Sequence, residues 1–357
     1  MADIFGASMK KQQILEHVGD ISQICDAQKK TYSDGKSSGV ETVDVTTGSG
    51  FSFTILPSRG LDISHAVYKG TPISWKSVCG EVAPQYFEPE GLNWLRNFFG
   101  GLLTTCGMTY SSHPCEDNGE QLGLHGRVSN IPADNVNITK QWDNDDYLMI
   151  VTGRVREVKV FGEKLELSRK ITTSLGSSKL VIRDTVENIG FNDSPLMMLY
   201  HVNIGWPLVS EHSRLISPTT GVRPADDRAR SEIDTWSSFT SPQKDYRERV
   251  YFHDQKADKD GKITVALVNE AIELGVYLSF LKSEFPHFIE WKMMGQGEYV
   301  IGIEPGNITG HRAYMRKEGT LEFIKPGTKR DFTLEIGILD SNESIQKTIQ
   351  EINEVKV

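Results

Sequence analysis

The chain has no long apolar run. Nowhere in its 357 residues does a stretch approach the length that crosses a bilayer as a helix, so no membrane span is expected. The start, Met-Ala-Asp-Ile-Phe-Gly-Ala, has no basic segment followed by an apolar one, so no secretory signal is expected either. Cysteine is scarce. Cys25, Cys79, Cys106 and Cys115 are scattered without a CxxC pair, which points to reduced thiols in a cytoplasmic protein, although Cys106 and Cys115 are near enough in sequence to bridge. Positive charge is in deficit: 39 Lys and Arg against 48 Asp and Glu give a net charge of −9. That argues against a broad nucleic-acid or anionic-membrane surface. No P-loop and no GxGxxG opening a helix is present, so a nucleotide cofactor is not expected.

What is there reads as strand. Residues 41–47 and 51–56 are β-branched or alternating, and Gly48-Ser49-Gly50 between them makes a hairpin turn. Similar runs recur at 135–141, 147–155, 164–174, 179–187, 195–204, 262–269, 275–280, 288–293, 299–303 and 330–339. Many strands at short spacing predict an all-β fold of large antiparallel sheets, a sandwich or a barrel. Helices are few. Residues 91–103 are expected to form a short one, ending at Gly100-Gly101. The tail from 342 to 355 is a better candidate, with Ile345, Ile349 and Ile352 at helical spacing after Ser341-Asn342. The polar stretch 218–246, rich in Arg, Asp and Ser, reads as a surface loop near a ligand or partner. Length alone suggests about two domains. No composition shift marks a boundary, so a single domain over 1–357 is expected, with 1–38 as an N-terminal extension and 341–357 as a C-terminal helix.

Three distant segments each set one titratable side chain among apolar or turn residues: Gly123-Leu-His125-Gly, Leu199-Tyr-His201-Val-Asn-Ile-Gly and Ile303-Glu304-Pro-Gly-Asn-Ile-Thr-Gly310. Two imidazoles and a carboxylate are enough to move protons near neutral pH. Taken alone, each has a plainer reading. His201 shares a strand face with Met197, Leu199 and Asn203, and a core histidine bonded to a neighbour fits that as well. Glu304 ends an apolar strand before Pro305-Gly306, where it serves as a partly buried base or as the ion-pair partner of an arginine such as Arg312. His125 lies between glycines that allow close approach of backbone or ligand. Arg59 and Asp62, three apart at a strand end, suit either sugar hydroxyls or a local salt bridge. Lys292 is a Schiff-base candidate without specific support from its flanks. Trp75, Trp94, Trp206 and Trp291 offer stacking faces. A His₂-carboxylate metal site is the main rival, yet the nine histidines contain no HxH or HxxxH pair, and no metal is expected.

In these segments the chain resembles the aldose 1-epimerase (galactose mutarotase) superfamily, in its uncharacterised aldose-epimerase-like branch. Pro57-Ser-Arg-Gly-Leu-Asp-Ile63, Gly100-Gly-Leu-Leu-Thr-Thr-Cys-Gly107, Gly119-Glu-Gln-Leu-Gly-Leu-His-Gly126 and Leu199-Tyr-His-Val-Asn-Ile-Gly-Trp-Pro207 carry the likeness, which runs from about Gly39 to Leu339. The resemblance implies a β-supersandwich with its site on a concave face. It implies His201 as general acid, Glu304 as general base and His125 as a sugar contact near the ring oxygen. Arg59, Asp62, Asn203, Trp206 and Arg127 complete the substrate-binding set. Two departures stand out. Tyr200 replaces the asparagine usual before the catalytic histidine, and an Asp-His-Phe segment is not evident between Pro218 and Val268. Galactose is therefore not implied, and Arg223, Arg228 and Arg230 suit either an anionic sugar or a solvated loop.

The expected activity is mutarotation: acid–base ring opening, rotation about C1–C2 and closure, without cofactor or metal. The expected partner is a small-molecule sugar, with no nucleic acid and no membrane. The alternatives are a non-catalytic carbohydrate-binding protein on the same fold, or an epimerase acting on a phosphorylated or acidic sugar.

Overall fold

The computed structural model describes residues 2–356. Three antiparallel sheets dominate it. Asp26–Thr31, Glu41–Thr46, Phe51–Leu56, Asp62–Tyr68 and Thr71–Pro72 form a five-stranded meander in chain order. An eight-stranded sheet runs Asp134–Asp143, Asp146–Val158, Lys164–Ser174, Lys179–Asn188, Lys329–Leu339, Leu274–Leu281, Lys262–Asn269, Ser213–Ile216. The third sheet has six strands, β1 (Thr104–Met108), β2 (Met197–Gly205), β3 (Thr219–Pro224), β4 (Arg249–Gln255), β5 (His287–Met294) and β6 (Tyr299–Gly306). Their order across the sheet is β1-β2-β6-β5-β4-β3. This is the expected all-β architecture with few short helices.

Alternation decides which face each strand buries. In Asp146–Val158, Tyr147, Met149, Val151, Gly153, Val155 and Glu157 are buried while the residues between them are half-buried or exposed. Strand β2 differs, because all nine of its residues are buried. Met198, Tyr200, Val202 and Ile204 join the main core with Ile182, Leu334 and Ile336 of the eight-stranded sheet. Met197 and Leu199 join a second cluster with Cys106, Ile289, Trp94 and Phe98. Each such aliphatic side chain contributes about 1.5–3 kcal/mol on burial. The six-stranded sheet thus has one face on the core and one on the second cluster, where the candidate site lies.

A polar island sits beneath β2. Arg169, fully buried, contacts Asp62 at 2.9 Å and Asp184 at 2.6 Å, and donates to Thr105 Oγ1 at 2.8 Å. Thr105 donates to Asp62 through its hydroxyl (2.6 Å) and its backbone N–H (3.0 Å). The Tyr200 hydroxyl donates to Asp184. Every charge here has an opposite charge and hydrogen bonds, the condition for tolerating buried ions.

Several expectations change. Residues 91–103 do not form an α-helix. Asn93–Arg96 is a single 3-10 turn, and Gly100–Gly101 pairs with Trp75–Lys76. Gly100 and Gly101 have φ of 77° and 73°, outside helical backbone, and a Cβ on Gly101 would lie 2.8 Å from Ser64 Cα. Segment 1–38 is not an appendage. Asp26–Thr31 pairs along Glu41–Thr46, and Ile14 and Ala27 are in the core. The stretch 218–246 is only partly a loop, since β3 and the short helix Asp227–Ser231 occupy its first half. All four cysteines are free. The C-terminal helix is present as Asn342–Lys356, with Ile345 and Ile352 packed on Ala266, Val268 and Leu339 and Ser341 accepting from the Ser344 N–H. Among the described residues no helix is long and apolar enough to cross a membrane.

Candidate active site

The register of the six-stranded sheet builds the site. Leu199 pairs with Gly306 and Val202 with Ile303, which sets His201 opposite Glu304. Thr104 faces His201 from β1, Ile289 faces Glu304 from β5, Phe252 faces Ile289 from β4, and Arg223 faces Phe252 from β3. One transverse row therefore reads Thr104, His201, Glu304, Ile289, Phe252, Arg223. From His201 to Arg223 it lines a cavity of about 600 Å³.

His201 and Glu304 are both nearly inaccessible, at 4% and 3% exposure. His201 Nε2 lies 3.1 Å from Glu304 Oε1, within ion-pair reach. The two groups are not aligned as a hydrogen bond. His201 Nδ1 and Glu304 Oε1 are buried without hydrogen-bond partners. Burial pushes the His201 imidazole down to about 4, with the nearby Asn203 side chain opposing. Burial, reinforced by Glu248, holds the Glu304 carboxyl well above the usual carboxylate range.

Gly302 makes room for this pair. It lies two residues before Glu304 on the same strand face, and a Cβ there would overlap Glu304 Oε1 and approach His201 Cε1 to 3.0 Å.

His125 reaches the cavity from a tight loop. Its φ is 56°, and its backbone bonds Ser112 O and Gly107 N, each at 3.0 Å. Gly126, with φ 79°, packs against Gly107 O and Tyr110 O, where any side chain would collide. The His125 ring lies 5.7 Å from that of His201 and 4.8 Å from Trp94. Its Nδ1 is buried and unpartnered. Burial, with His201 and His113 nearby, holds its pKa well below the ordinary histidine value.

The three segments singled out in the sequence thus converge on one cavity. Trp94 and Trp291 line it too, whereas Arg59, Asp62, Asn203, Trp206 and Arg127 do not. Arg59 is buried and donates to three backbone carbonyls, Ser129 at 2.6 Å, Val82 at 2.7 Å and Asn97 at 2.9 Å. Its guanidinium is committed to joining loops, which corrects the sugar-binding expectation. Asp62 is corrected likewise: it faces the core, where Arg169 and Thr105 hold it, and it is not the salt-bridge partner of Arg59 either. Asn203 is fully buried and donates to Gly100 O at 3.1 Å and His201 O at 2.8 Å, so it supports the histidine instead of lining the cavity. Trp206 is 71% exposed and Arg127 lies over a separate hollow with Pro89 and Gly91. Both expectations are corrected by position.

Of the three arginines suited to an anion, only Arg223 lines the cavity. Arg228 pairs with Asp226 at 2.7 Å and Arg230 with Asp227 at 3.5 Å. Arg223 lies over the Phe252 ring at 4.5 Å and has no carboxylate partner among the described residues. Arg312 pairs with Asp117 and Glu120 rather than with Glu304. Lys292 is buried on the core side, its ammonium bonded to Thr235 O and Ser238 O, which disfavours its use as a nucleophile.

Other cavity residues had no sequence signal. Glu248 accepts from Trp291 Nε1 at 2.7 Å. His311 caps the helix Arg312–Lys317 by accepting from the Tyr314 N–H at 3.3 Å, and His113 faces in from the loop before His125. His311 directly follows the Glu304–Gly310 segment, and reading that segment one residue further would have included it. Among the described residues no group of three or more His, Cys, Asp or Glu side chains is placed to hold a metal ion.

Comparison with known proteins places this geometry. The model of a family described as a domain of unknown function (DUF4432) matches residues 37–338. No curated protein matches the sequence. Among solved structures, a "putative aldose 1-epimerase" from Klebsiella pneumoniae is 25% identical with a TM-score of 0.89, covering 98% of this chain and 91% of that one. A galactose mutarotase-like protein from Clostridium acetobutylicum is 16% identical, with a TM-score of 0.58 over 89% of this chain and 99% of that one. A galactose 1-epimerase from Lactobacillus acidophilus is 10% identical, with a TM-score of 0.57 over 89% of this chain and all of that one, 100%. The last two share the fold alone. The fold is thus that of the galactose mutarotase-like proteins, as the sequence resemblance implied.

Proposed function

The chain belongs to the DUF4432 family, and from its site we infer that it is an isomerase interconverting the anomers of an aldose by acid–base ring opening. The observation that carries this is the buried His201–Glu304 pair, 3.1 Å apart on neighbouring strands and facing one cavity with His125. The likeness to proteins described as aldose epimerases supports the same reading.

Mutarotation needs one proton removed from the anomeric hydroxyl and one delivered to the ring oxygen. Glu304 as carboxylate takes the first and His201 as imidazolium gives the second, so the working pair holds a single proton. Both side chains are desolvated, so at rest that proton lies on the Glu304 carboxyl beside a neutral His201, and its transfer across the 3.1 Å gap to His201 gives the working carboxylate–imidazolium form. After opening, rotation about C1–C2 and closure on the other carbonyl face give the other anomer. His125, kept neutral, donates a hydrogen bond to a sugar oxygen and stabilises charge developing there. Acid–base assistance of this kind supplies about 10²–10⁴-fold, and aldose interconversion is measurable without a catalyst, so this is sufficient.

A second reading concerns the sugar. Arg223 is a cavity cation without a carboxylate partner, which favours an acidic or phosphorylated aldose with its anion at that end of the row. Exchange NMR of anomers across neutral aldoses, sugar acids and sugar phosphates tests both. Acceleration of at least one class is expected. If the anionic reading holds, Arg223→Met slows only the anionic sugars. No acceleration of any class contradicts the proposal.

A further inference from the structure

Next to the cavity lies a second hollow of about 520 Å³ that the proton-transfer chemistry does not use. Leu95, Phe98, Glu248 and Trp291 line both and lie between them. Trp75, Phe98 and Trp291 form a triangle, with ring centroids 5.8 Å (Trp75–Phe98), 6.2 Å (Trp75–Trp291) and 6.4 Å (Phe98–Trp291) apart. Both tryptophans are half-buried.

The sheet fixes where this hollow stands relative to the site. On β6 and β5, Glu304 pairs with Ile289, Gly302 with Trp291 and Val300 with Met293. Trp291 and Met293 are thus two and four residues along from the catalytic row, about 7 and 13 Å at the usual strand rise. Gly302 and Gly205 carry no side chain on this face, and the room they leave is taken by Glu304, His201 and Trp291 over Gly302 and by Trp75 over Gly205. Trp75 is held in place: its backbone pairs with Gly101, and a Cβ on Gly205 would lie 3.1 Å from its Cδ1.

The rim is partly apolar and partly charged. Val78 is 87% and Leu95 48% exposed, both beside the aromatic floor. Arg247 and Glu298 extend from the rim, and among the described residues neither side chain has a hydrogen-bond or ion-pair partner. A sugar ring matches this surface, with an apolar C–H face for the tryptophans and a hydroxyl edge for the charged groups. An aromatic substituent would use the floor but leave Arg247 and Glu298 idle.

We propose that this hollow is a second sugar subsite, and that the substrate is a reducing disaccharide or longer oligosaccharide. Its reducing ring lies at His201 and Glu304, and its next ring stacks on Trp75 past the edge of Trp291. This rests on the mutarotase reading. It is compatible with the chemistry, because ring opening uses only the anomeric carbon of the reducing unit and leaves a glycosidic link elsewhere on that ring intact.

Anomer exchange is measured by NMR for glucose and for maltose, cellobiose and lactose. At least one disaccharide is expected to exceed glucose in kcat/KM by about tenfold, equivalent to about 1.4 kcal/mol of added transition-state binding. That ratio should fall at least about fivefold in Trp75→Ala and in Val78→Arg, and largely persist in Trp75→Phe. Val78 is solvent-exposed, so its substitution keeps the test valid if Trp75→Ala does not fold. A wild-type ratio near unity for all three disaccharides overturns the proposal, as does a ratio unchanged in both variants. Titration followed by tryptophan fluorescence separates this from the mutarotase reading. If no sugar exchanges but disaccharide binding is still weakened by Val78→Arg, the subsite stands and the mutarotase reading falls. If neither exchange nor such binding is seen, both fall.

Discussion

His201 and Glu304 are displaced in opposite directions from their ordinary titration ranges, and by the same cause. Burial lowers the imidazole to about 4 and raises the carboxyl well above its usual value. Between those two limits the pair holds one proton, the count that ring opening requires. Below pH about 4 the imidazole gains a second proton for the pair, no base remains, and anomer exchange falls. Above the raised pKa of Glu304 the pair loses its last proton, no acid remains, and exchange falls again. A pH–rate profile is therefore expected to be bell-shaped, with its acidic limb near pH 4 and its alkaline limb above the usual carboxylate range. A rate rising steadily from pH 4 to pH 9, with no alkaline limb, contradicts the one-proton pair. At this scale the sequence was informative where a titratable residue interrupts an apolar strand, as His201 and Glu304 do. It misled for Arg59 and Asp62, because spacing along the chain does not say which way a side chain points. The partner of Asp62 is Arg169, on a distant strand, and no local pattern announces that pairing.

Strand β2 is held from behind by that pairing. Tyr200 points away from the cavity and donates to Asp184, which with Asp62 neutralises Arg169. This gives Tyr200 a structural use on the face opposite His201. Replacing Arg169 with leucine leaves two carboxylates buried without a counter-charge. Urea denaturation of Arg169→Leu is expected to show a loss of about 3–5 kcal/mol. A loss below about 1 kcal/mol would mean that the island is hydrated or unimportant to the fold. The strands legible from sequence were those with long alternation: Lys164–Ser174, Phe51–Leu56 and Lys262–Asn269 stand at the expected residues. Among those overlooked are Asp26–Thr31 and Asp62–Tyr68, β1, buried throughout and therefore without alternation, and β3 and β4, each of which carries an arginine. Yet β3 and β4 supply Arg223 and Phe252, so the half of the site most relevant to substrate choice lies on the strands hardest to read.

At the scale of the molecule, the six-stranded sheet separates two tasks. One face closes the core against the eight-stranded sheet, and the other carries a transverse row of side chains facing a cavity. The fold is shared with aldose epimerases of low identity, and a shared fold leaves activity to be decided by the site. The central claim is that Glu304 takes the anomeric proton, and Glu304→Gln keeps size and shape while removing the base. Anomer exchange by NMR, on whichever sugar the wild-type protein accelerates, is expected to slow at least about 10²-fold in this variant. Affinity for the same sugar is expected to stay within about threefold, less than 1 kcal/mol. Exchange at the wild-type rate in Glu304→Gln would contradict the account.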